Sequence, residues 1–306
     1  MAKILGTGGA GFIGSSVVEE LLAEGLSVVV LDDLSTGKLE NLPPEAETLR
    51  IVVGSILDAE TVRDVMKGCD AVIHFAAIAS VQASVENPVL THQVNFDGTL
   101  LLLEMARITG IKRFLFASSA AVYGDASEGA VSENSPVSPL TPYAIDKLAC
   151  EYYLKHYYRT FGMECTAFRF FNVYGPRQNP ASPYSGVISI FASNSMAEKP
   201  LKIFGDGMQT RDFVYVKDVA RILVASITNQ AMIGEVVNIG TGRSTLLRDI
   251  IEQLSIILKK SIEVGYAGAR PGDIRHSLAD ITLLRSLSCE VPSTSITDGL
   301  IATIHE

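Results

Sequence analysis

The stretch Ile4-Leu5-Gly6-Thr7-Gly8-Gly9-Ala10-Gly11-Phe12-Ile13-Gly14 decides the fold. A short apolar run enters a glycine-rich turn, and a helix is predicted from about Phe12 to Glu24. Strand, tight turn and helix start together cradle a pyrophosphate, because the first N–H groups of a helix lack internal partners. Gly8 permits the turn, Gly11 lets the backbone approach the phosphate, and Gly14 lets helix and strand pack closely. A plain structural βαβ unit is the alternative, since Gly-x-Gly-x-x-Gly alone does not decide. Gly6, just before Thr7, weakens the strand slightly.

A second apolar run, Ser27-Val28-Val29-Val30-Leu31, ends in Asp32, eighteen residues beyond Gly14. A carboxylate there accepts from the two ribose hydroxyls of NAD and repels a 2′-phosphate. Asp33-Leu34-Ser35-Thr36 brings no arginine to neutralise such a phosphate, so NAD is expected in preference to NADP.

Strands are predicted near 3–7, 27–31, 49–53, 70–74, 112–117 and 164–170, with helices near 12–24, 58–67, 88–108 and 144–161. Such alternation predicts an α/β, Rossmann-type doubly wound parallel sheet. Residues 1–174 are read as the NAD-binding domain. After Gly175 the texture changes: Pro176, Pro180, Pro183 and Pro200, with Gly186, Gly205 and Gly207, break the rhythm. Residues 175–306 are therefore read mainly as a smaller C-terminal substrate-binding lobe. Segments at about 206–245 return to the large domain, with a strand near 235–239. Helix 88–108 carries Leu100 and Leu103 at helical spacing and reads as core or dimer face.

At 306 residues, 47% hydrophobic and 19% charged, the chain reads as soluble and globular with ample core. A net charge of −9 argues against nucleic acid, whose phosphates require a basic face. No segment approaches the roughly 20 apolar residues of a membrane span, and the start runs straight into a strand without a signal peptide. Cys69, Cys150, Cys165 and Cys289 are scattered without metal spacing and read as buried thiols in a reducing cytoplasm. His74 ends an apolar strand and is expected to pack or hydrogen-bond there, so no metal is expected.

Tyr143-Ala144-Ile145-Asp146-Lys147 carries the chemistry. Four-residue spacing projects both side chains from one helical face. A nearby ammonium favours the phenolate, which predicts a lowered Tyr143 pKa and a usable acid/base. Upstream, Phe114-Leu115-Phe116-Ala117-Ser118-Ser119 runs an apolar strand into paired serines at the carboxyl end of the sheet, where ligands bind. Taken alone, the two serines could equally be loop residues. Arg169-Phe170-Phe171-Asn172-Val173-Tyr174-Gly175-Pro176-Arg177 repeats the pattern of strand then polar loop.

With His74-Phe75-Ala76-Ala77, Asn95-Phe96-Asp97-Gly98-Thr99, Gly205-Asp206-Gly207-Met208-Gln209-Thr210-Arg211-Asp212-Phe213 and Arg270-Pro271-Gly272-Asp273, these motifs follow one another in a familiar order. Together they resemble the extended short-chain dehydrogenase/reductase family, specifically its nucleotide-sugar epimerase branch, across essentially the whole chain. The resemblance implies that Tyr143 takes the sugar hydroxyl proton, Ser119 orients the reacting oxygen and Lys147 holds the nicotinamide ribose. It implies NAD contacts at Phe12, Ile13, Asp33, Leu34, Ser35, Thr36, Gly37, Ile56, Phe75, Ala76, Ala77, Asn95 and Phe171, beside the glycines and Asp32. For a UDP-sugar it implies Ser84, Gly186, Val187 and Gln209, with Asn172 on phosphate or ribose. Arg211 and Arg270 fall where the diphosphate is held, Lys202, Ile203 and Phe204 where uracil lies, and Asp273 where the uridine ribose lies. Helices 88–108 and 144–161 would pair with their twofold mates as a four-helix bundle in a homodimer.

Two alanines choose between branches of this family. Dehydratases and sugar-acid decarboxylases typically carry carboxylic acids in one or both positions after the catalytic serine; here they are Ala120 and Ala121. The chain departs from the pattern at Ser55, where an aspartate usually meets the adenine, and at Ala79, a lysine in one epimerase subgroup. Ser277 stands where a tyrosine would fill the space beside the sugar's 2-substituent, so acceptance of UDP-GlcNAc and UDP-GalNAc alongside UDP-Glc and UDP-Gal is expected. Restriction to plain hexoses, a UDP-glucuronate 4-epimerase, a dehydratase or oxidoreductase, and an NAD-sensing regulator are the competing readings.

Overall fold

Ile4 and Leu5 are neighbours on the first strand, both fully buried, and belong to different core clusters. The same alternation recurs at Val28 and Val29, Val72 and Ile73, and Phe114 and Leu115. A strand whose successive side chains are buried on both faces belongs inside a sheet covered on both sides. In the computed structural model, which describes residues 2–125, 129–180, 186–268 and 274–305, that is the architecture.

The chain runs through β1 (Lys3–Thr7), α1 (Phe12–Ala23), β2 (Ser27–Asp32), β3 (Leu49–Val53), α2 (Ala59–Met66) and β4 (Ala71–His74). It continues with α3 (Val81–Glu86), α4 (Pro88–His92), α5 (Gly98–Thr109), β5 (Arg113–Ser119), α6 (Pro142–Phe161) and β6 (Glu164–Phe170). Then come β7 (Asn172–Tyr174), α7 (Val187–Met196), β8 (Leu201–Phe204), β9 (Thr210–Arg211), β10 (Phe213–Tyr215) and α8 (Val216–Ser226). Last are β11 (Val236–Ile239), β12 (Thr245–Leu246), α9 (Leu247–Leu258), β13 (Val264–Ala267), α10 (Thr282–Leu287) and α11 (Ile296–His305).

Seven strands form one sheet in the order β11-β6-β5-β4-β1-β2-β3, with every neighbouring pair parallel. The order reverses beside β1, so the glycine turn after Thr7 sits at the point where such sheets bind ligands. Val17, Leu21, Val219 and Ile222 from α1 and α8 cover one face, while Val62, Leu102, Leu103 and Leu154 from α2, α5 and α6 cover the other. Each fully buried aliphatic side chain of this kind contributes about 1.5–3 kcal/mol.

β11, the strand expected near 235–239, joins the sheet by pairing with β6. A third core gathers Tyr174, Phe191, Leu201, Ile203, Phe213, Leu254 and Leu300 around the short pairs β7–β10 and β8–β13.

Two local features were not anticipated. The helix expected over 88–108 is α4 and α5 joined by a π-turn, Gln93–Asp97. Ahead of it lies α3, whose start is capped where Ser80 accepts from the Ala83 N–H at 2.9 Å. Helix α6 runs as expected: Pro142 occupies its first turn, and Gly162 stops it at φ +68°. Cysteine burial needs one correction, since Cys69, Cys150 and Cys165 are buried but Cys289 is exposed. Among the described residues no helix is long and apolar enough to cross a membrane.

Candidate active site

The glycine cradle is as tight as its sequence demanded. Gly8 has φ +69°, and a Cβ there would lie 2.6 Å from the Ala76 nitrogen. At Gly14 a Cβ would lie 2.2 Å from the Gly8 carbonyl oxygen. Gly11 begins α1 without a side-chain cap, so no side chain competes for the donors that face the turn. Phe12 and Ile13 lean against the third core. Phe75 and Ala76 both donate their N–H to the Thr7 carbonyl, which pins the Phe75–Ala77 loop over β1. Ala79 is exposed at the end of that loop.

Asp32, buried at the end of β2, accepts from the Ala10 N–H and the Leu34 N–H, both at 2.9 Å. Burial raises its pKa, and these two amides oppose the rise. Leu34 takes φ +60° to make its contact, a strained value for a leucine. A Cβ at Gly37 would sit 2.9 Å from Asp32 Oδ1, so only glycine lets this loop close on the carboxylate. Asp33 accepts from the Ser35 N–H and hydroxyl, shaping the exposed turn that carries Thr36. Glycines that leave room for a pyrophosphate, and an acid one strand away, fit a dinucleotide without a 2′-phosphate.

Other residues expected at the cofactor also make bonds within the protein. Both Asn95 amide atoms bond the Ile78 backbone, at 2.7 and 3.1 Å, so its side chain holds the loop after β4. Ser55 Oγ accepts from the Leu57 N–H at 3.1 Å, and Ile56 is buried against Gly98. Phe171 lies in the core beside Tyr123. His74 is fully buried between Thr7 and Thr99, and burial drops its pKa well below the usual range, so it is neutral.

Ser119, Tyr143 and Lys147 come together. Ser119 closes β5 beside the Tyr143 phenol, and its Oγ accepts from the Ala121 N–H at 3.1 Å. Lys147 donates to the Ala117 carbonyl at 2.7 Å, with Nζ 4.6 Å from the Phe116 ring centre and 5.9 Å from that of Tyr143. The expected lowering of the Tyr143 pKa is corrected: burial raises it, and only the Ser119 hydroxyl opposes. Burial also pushes Lys147 down to about 8, against the fields of Cys150, Asp146 and Glu151.

Behind the trio lies a network that sequence reading missed. Ser118 donates to Glu151 at 2.5 Å, and Arg169 binds the same carboxylate through Nε and Nη2 at 3.0 and 2.7 Å. The Arg169 guanidinium lies 4.7 Å from the Tyr123 ring centre, and Tyr123 donates to Asn238 at 2.7 Å. A polar residue one turn beyond Lys147 was the only signal, and it is weak without the partner strand.

On the other side, Arg211 in β9 donates to the Thr210 carbonyl at 2.9 Å. Ser277 donates its N–H to the same oxygen at 3.2 Å. Gln209 donates to the Phe204 carbonyl, and its buried Oε1 has no partner among the described residues. Lys202 stretches over the Phe204 ring, Ile203 is buried, and Asn172 opens β7. Gly186 and Val187 start α7. Ser84 is fully buried, with its hydroxyl given to the Val81 carbonyl. Arg270 and Asp273 lie outside the described residues.

A parallel sheet with a glycine turn after its first strand, a buried acid ending its second and a Ser–Tyr–Lys cluster is the arrangement of an extended short-chain dehydrogenase/reductase. Residues 4–240 match the NAD dependent epimerase/dehydratase family, and the chain belongs to it. It is 40% identical over 304 residues to a putative UDP-glucose 4-epimerase of Methanocaldococcus jannaschii, covering 99% of this chain and 97% of that protein. The UDP-N-acetylglucosamine 4-epimerase from Methanobrevibacter ruminantium, solved with UDP-N-acetylmuramic acid, superposes with a TM-score of 0.95 at 38% identity, over 99% and 97% of the two chains. The UDP-glucose 4-epimerase of Thermus thermophilus, solved with NAD, gives 0.90 at 37% identity, again over 99% and 97%. NAD is the cofactor of this family.

Proposed function

We propose that this protein is an NAD-dependent UDP-sugar 4-epimerase, an isomerase that passes through a 4-keto sugar. The observation that carries this reading is the meeting of Ser119, Tyr143 and Lys147 beside two residues, Ala120 and Ala121, that cannot act as acids. Elimination of water needs an acid for the leaving hydroxyl and a base for the adjacent carbon. Without them, inversion at a carbinol remains.

The glycines Gly8, Gly11 and Gly14 would hold the pyrophosphate, Asp32 the adenosine ribose, and Lys147 the nicotinamide ribose. NAD, when bound, supplies a hydride acceptor and a positively charged ring. Tyr143 takes the proton of the C4 hydroxyl as the C4–H bond is broken, leaving a ketone, and returns the proton once the ketone has turned over and is reduced on its other face. Because burial holds the free phenol neutral, nearby positive charge must favour the phenolate before it acts as a base. Lys147, at about 8, keeps most of its charge at pH 7 and contributes to that field. Ser119 orients the reacting oxygen.

Arg211 and the Arg270 segment would clamp the diphosphate with forked, charge-assisted bonds. Ser277 leaves room beside the sugar's 2-substituent, which supports use of UDP-GlcNAc and UDP-GalNAc along with UDP-Glc and UDP-Gal. A polysaccharide-building role and a cytoplasmic setting accord with that chemistry and with four free cysteines. Val85, Val89 and Leu90 on α3 and α4, with Ile145 and Tyr152 on α6, are exposed large apolar side chains. Covering them in a twofold homodimer through a four-helix bundle removes this apolar area from water.

The test is to assay UDP-sugars one by one without added cofactor. Turnover with no net NADH or keto product supports the reading, and heat-denatured protein should release NAD rather than NADP. Accumulation of a keto product would make the enzyme a dehydratase or oxidoreductase instead.

A further inference from the structure

Asp212, between β9 and β10, is fully buried, and four donors surround its carboxylate. Oδ1 accepts from the Thr241 N–H at 2.7 Å and the Thr241 hydroxyl at 2.6 Å. Oδ2 accepts from the Gly242 N–H at 2.9 Å and the Ala279 N–H at 3.2 Å. Its main-chain oxygen accepts from the Asn172 N–H at 3.0 Å. A Cβ at Gly240 would lie 2.8 Å from Oδ2, so the turn after β11 can approach only because that residue is glycine.

The partners come from three separate parts of the chain. Asn172 opens β7, Gly240–Gly242 follow β11, and Ala279 lies two residues beyond Ser277. Arg211 is the residue directly before Asp212, and Thr210 joins its strand to the 276–277 segment. A buried anion with well-directed amide donors is held rigidly, since losing any of those bonds leaves a buried polar group unmatched.

We propose that Asp212 is a positioning residue for the sugar nucleotide: it fixes Asn172, Arg211 and Ser277 in one arrangement without itself touching the substrate. The proposal rests on the reading of Arg211 as a diphosphate ligand. Only a carboxylate can accept from all four donors at once. An amide in its place must turn an NH2 group toward one of them, loosening the anchored segments. Arg211 would then lose the preorganisation that makes its fork effective.

Five variants decide the matter: Arg211→Ala, Asp212→Asn, the double variant of these two, Thr241→Val and Thr241→Ser, each scored for NAD content, melting temperature, KM and kcat with a UDP-sugar. In Asp212→Asn the KM should rise about tenfold with kcat within about threefold of wild type and NAD content unchanged. Combined with Arg211→Ala, it should add little to the KM of Arg211→Ala alone, because both act through one contact. Thr241→Val, which removes only the hydroxyl donor, should raise KM less, and Thr241→Ser should restore it. Where Asp212→Asn fails to fold, the two threonine variants carry the test. Fully additive losses, a wild-type KM in Thr241→Val, or equal falls in kcat and stability would overturn the positioning role. An unchanged KM in Arg211→Ala would instead overturn the diphosphate reading itself.

Discussion

Arg169, on β6, holds both oxygens of Glu151, which lies one helical turn beyond Lys147 on α6. Both partners are almost wholly buried, at 5% and 2% side-chain exposure. Through Ser118 the pair ties the helix carrying Tyr143 and Lys147 to the end of the strand carrying Ser119. The placing of Ser119, Tyr143 and Lys147 is therefore tied to a buried pair outside that trio.

Removing one partner leaves the other charged and dry. Arg169→Met should destabilise the fold by about 3–5 kcal/mol, read as a fall in urea midpoint at constant slope. A loss below about 1 kcal/mol, the scale of an exposed pair, would show that the bridge is not the tie described.

Tyr143→Phe removes the phenolic proton carrier and keeps the ring. Epimerisation should fall by about 10³ or more, within the range set by general acid–base catalysis. NAD content and unfolding midpoint should stay near wild type. Turnover close to wild type would mean that another group moves the proton.

Lys147 gives a prediction in pH. Its ammonium falls from 10.5 to about 8 because burial disfavours the charge, a penalty of about 3 kcal/mol when fully expressed. Below about 8 both folded and unfolded chains carry the proton and the whole penalty applies. As pH rises from about 8 towards 10.5 only the unfolded chain keeps it, so the folded state gains. Cofactor-free Lys147→Met should therefore have its largest stability advantage over wild type near neutral pH and lose it in alkali. A stability difference independent of pH would contradict this.

Ser277→Tyr should fill the space beside the sugar's 2-substituent. Loss of turnover on UDP-GlcNAc with UDP-Glc retained is the expected outcome, measured by product ratios for each pair. Equal loss on both pairs, or wild-type protein inert to UDP-GlcNAc, would remove Ser277 from the role of size gate.

The sheet, its glycine turn and the Tyr143–Lys147 pair could be read in the residues because each rests on local spacing, whereas Ser119 stands out only through the family resemblance. Gly8, Gly11 and Gly14 act within one turn, and Tyr143 and Lys147 share one helical face. Asp212 and Glu151 could not be read that way. Their partners stand at Thr241, Ala279 and Arg169, and only the folded chain brings them within reach. The Tyr143 pKa failed for a related reason: spacing reveals the neighbouring ammonium but not the burial that raises the phenol. The π-turn at Gln93–Asp97 has no composition of its own and interrupts an otherwise regular helical pattern.

The third core unites Tyr174 with Leu300, residues separated by two excursions of the chain back to the main sheet and its helices. During synthesis, when residues emerge at about 5–20 per second, the first six strands are complete by Phe170. The smaller core cannot close until the last helix has left the ribosome. For some seconds (at those rates) the nascent chain holds a finished cofactor cradle beside an unfinished core, whose apolar side chains need shielding from one another and from neighbouring chains.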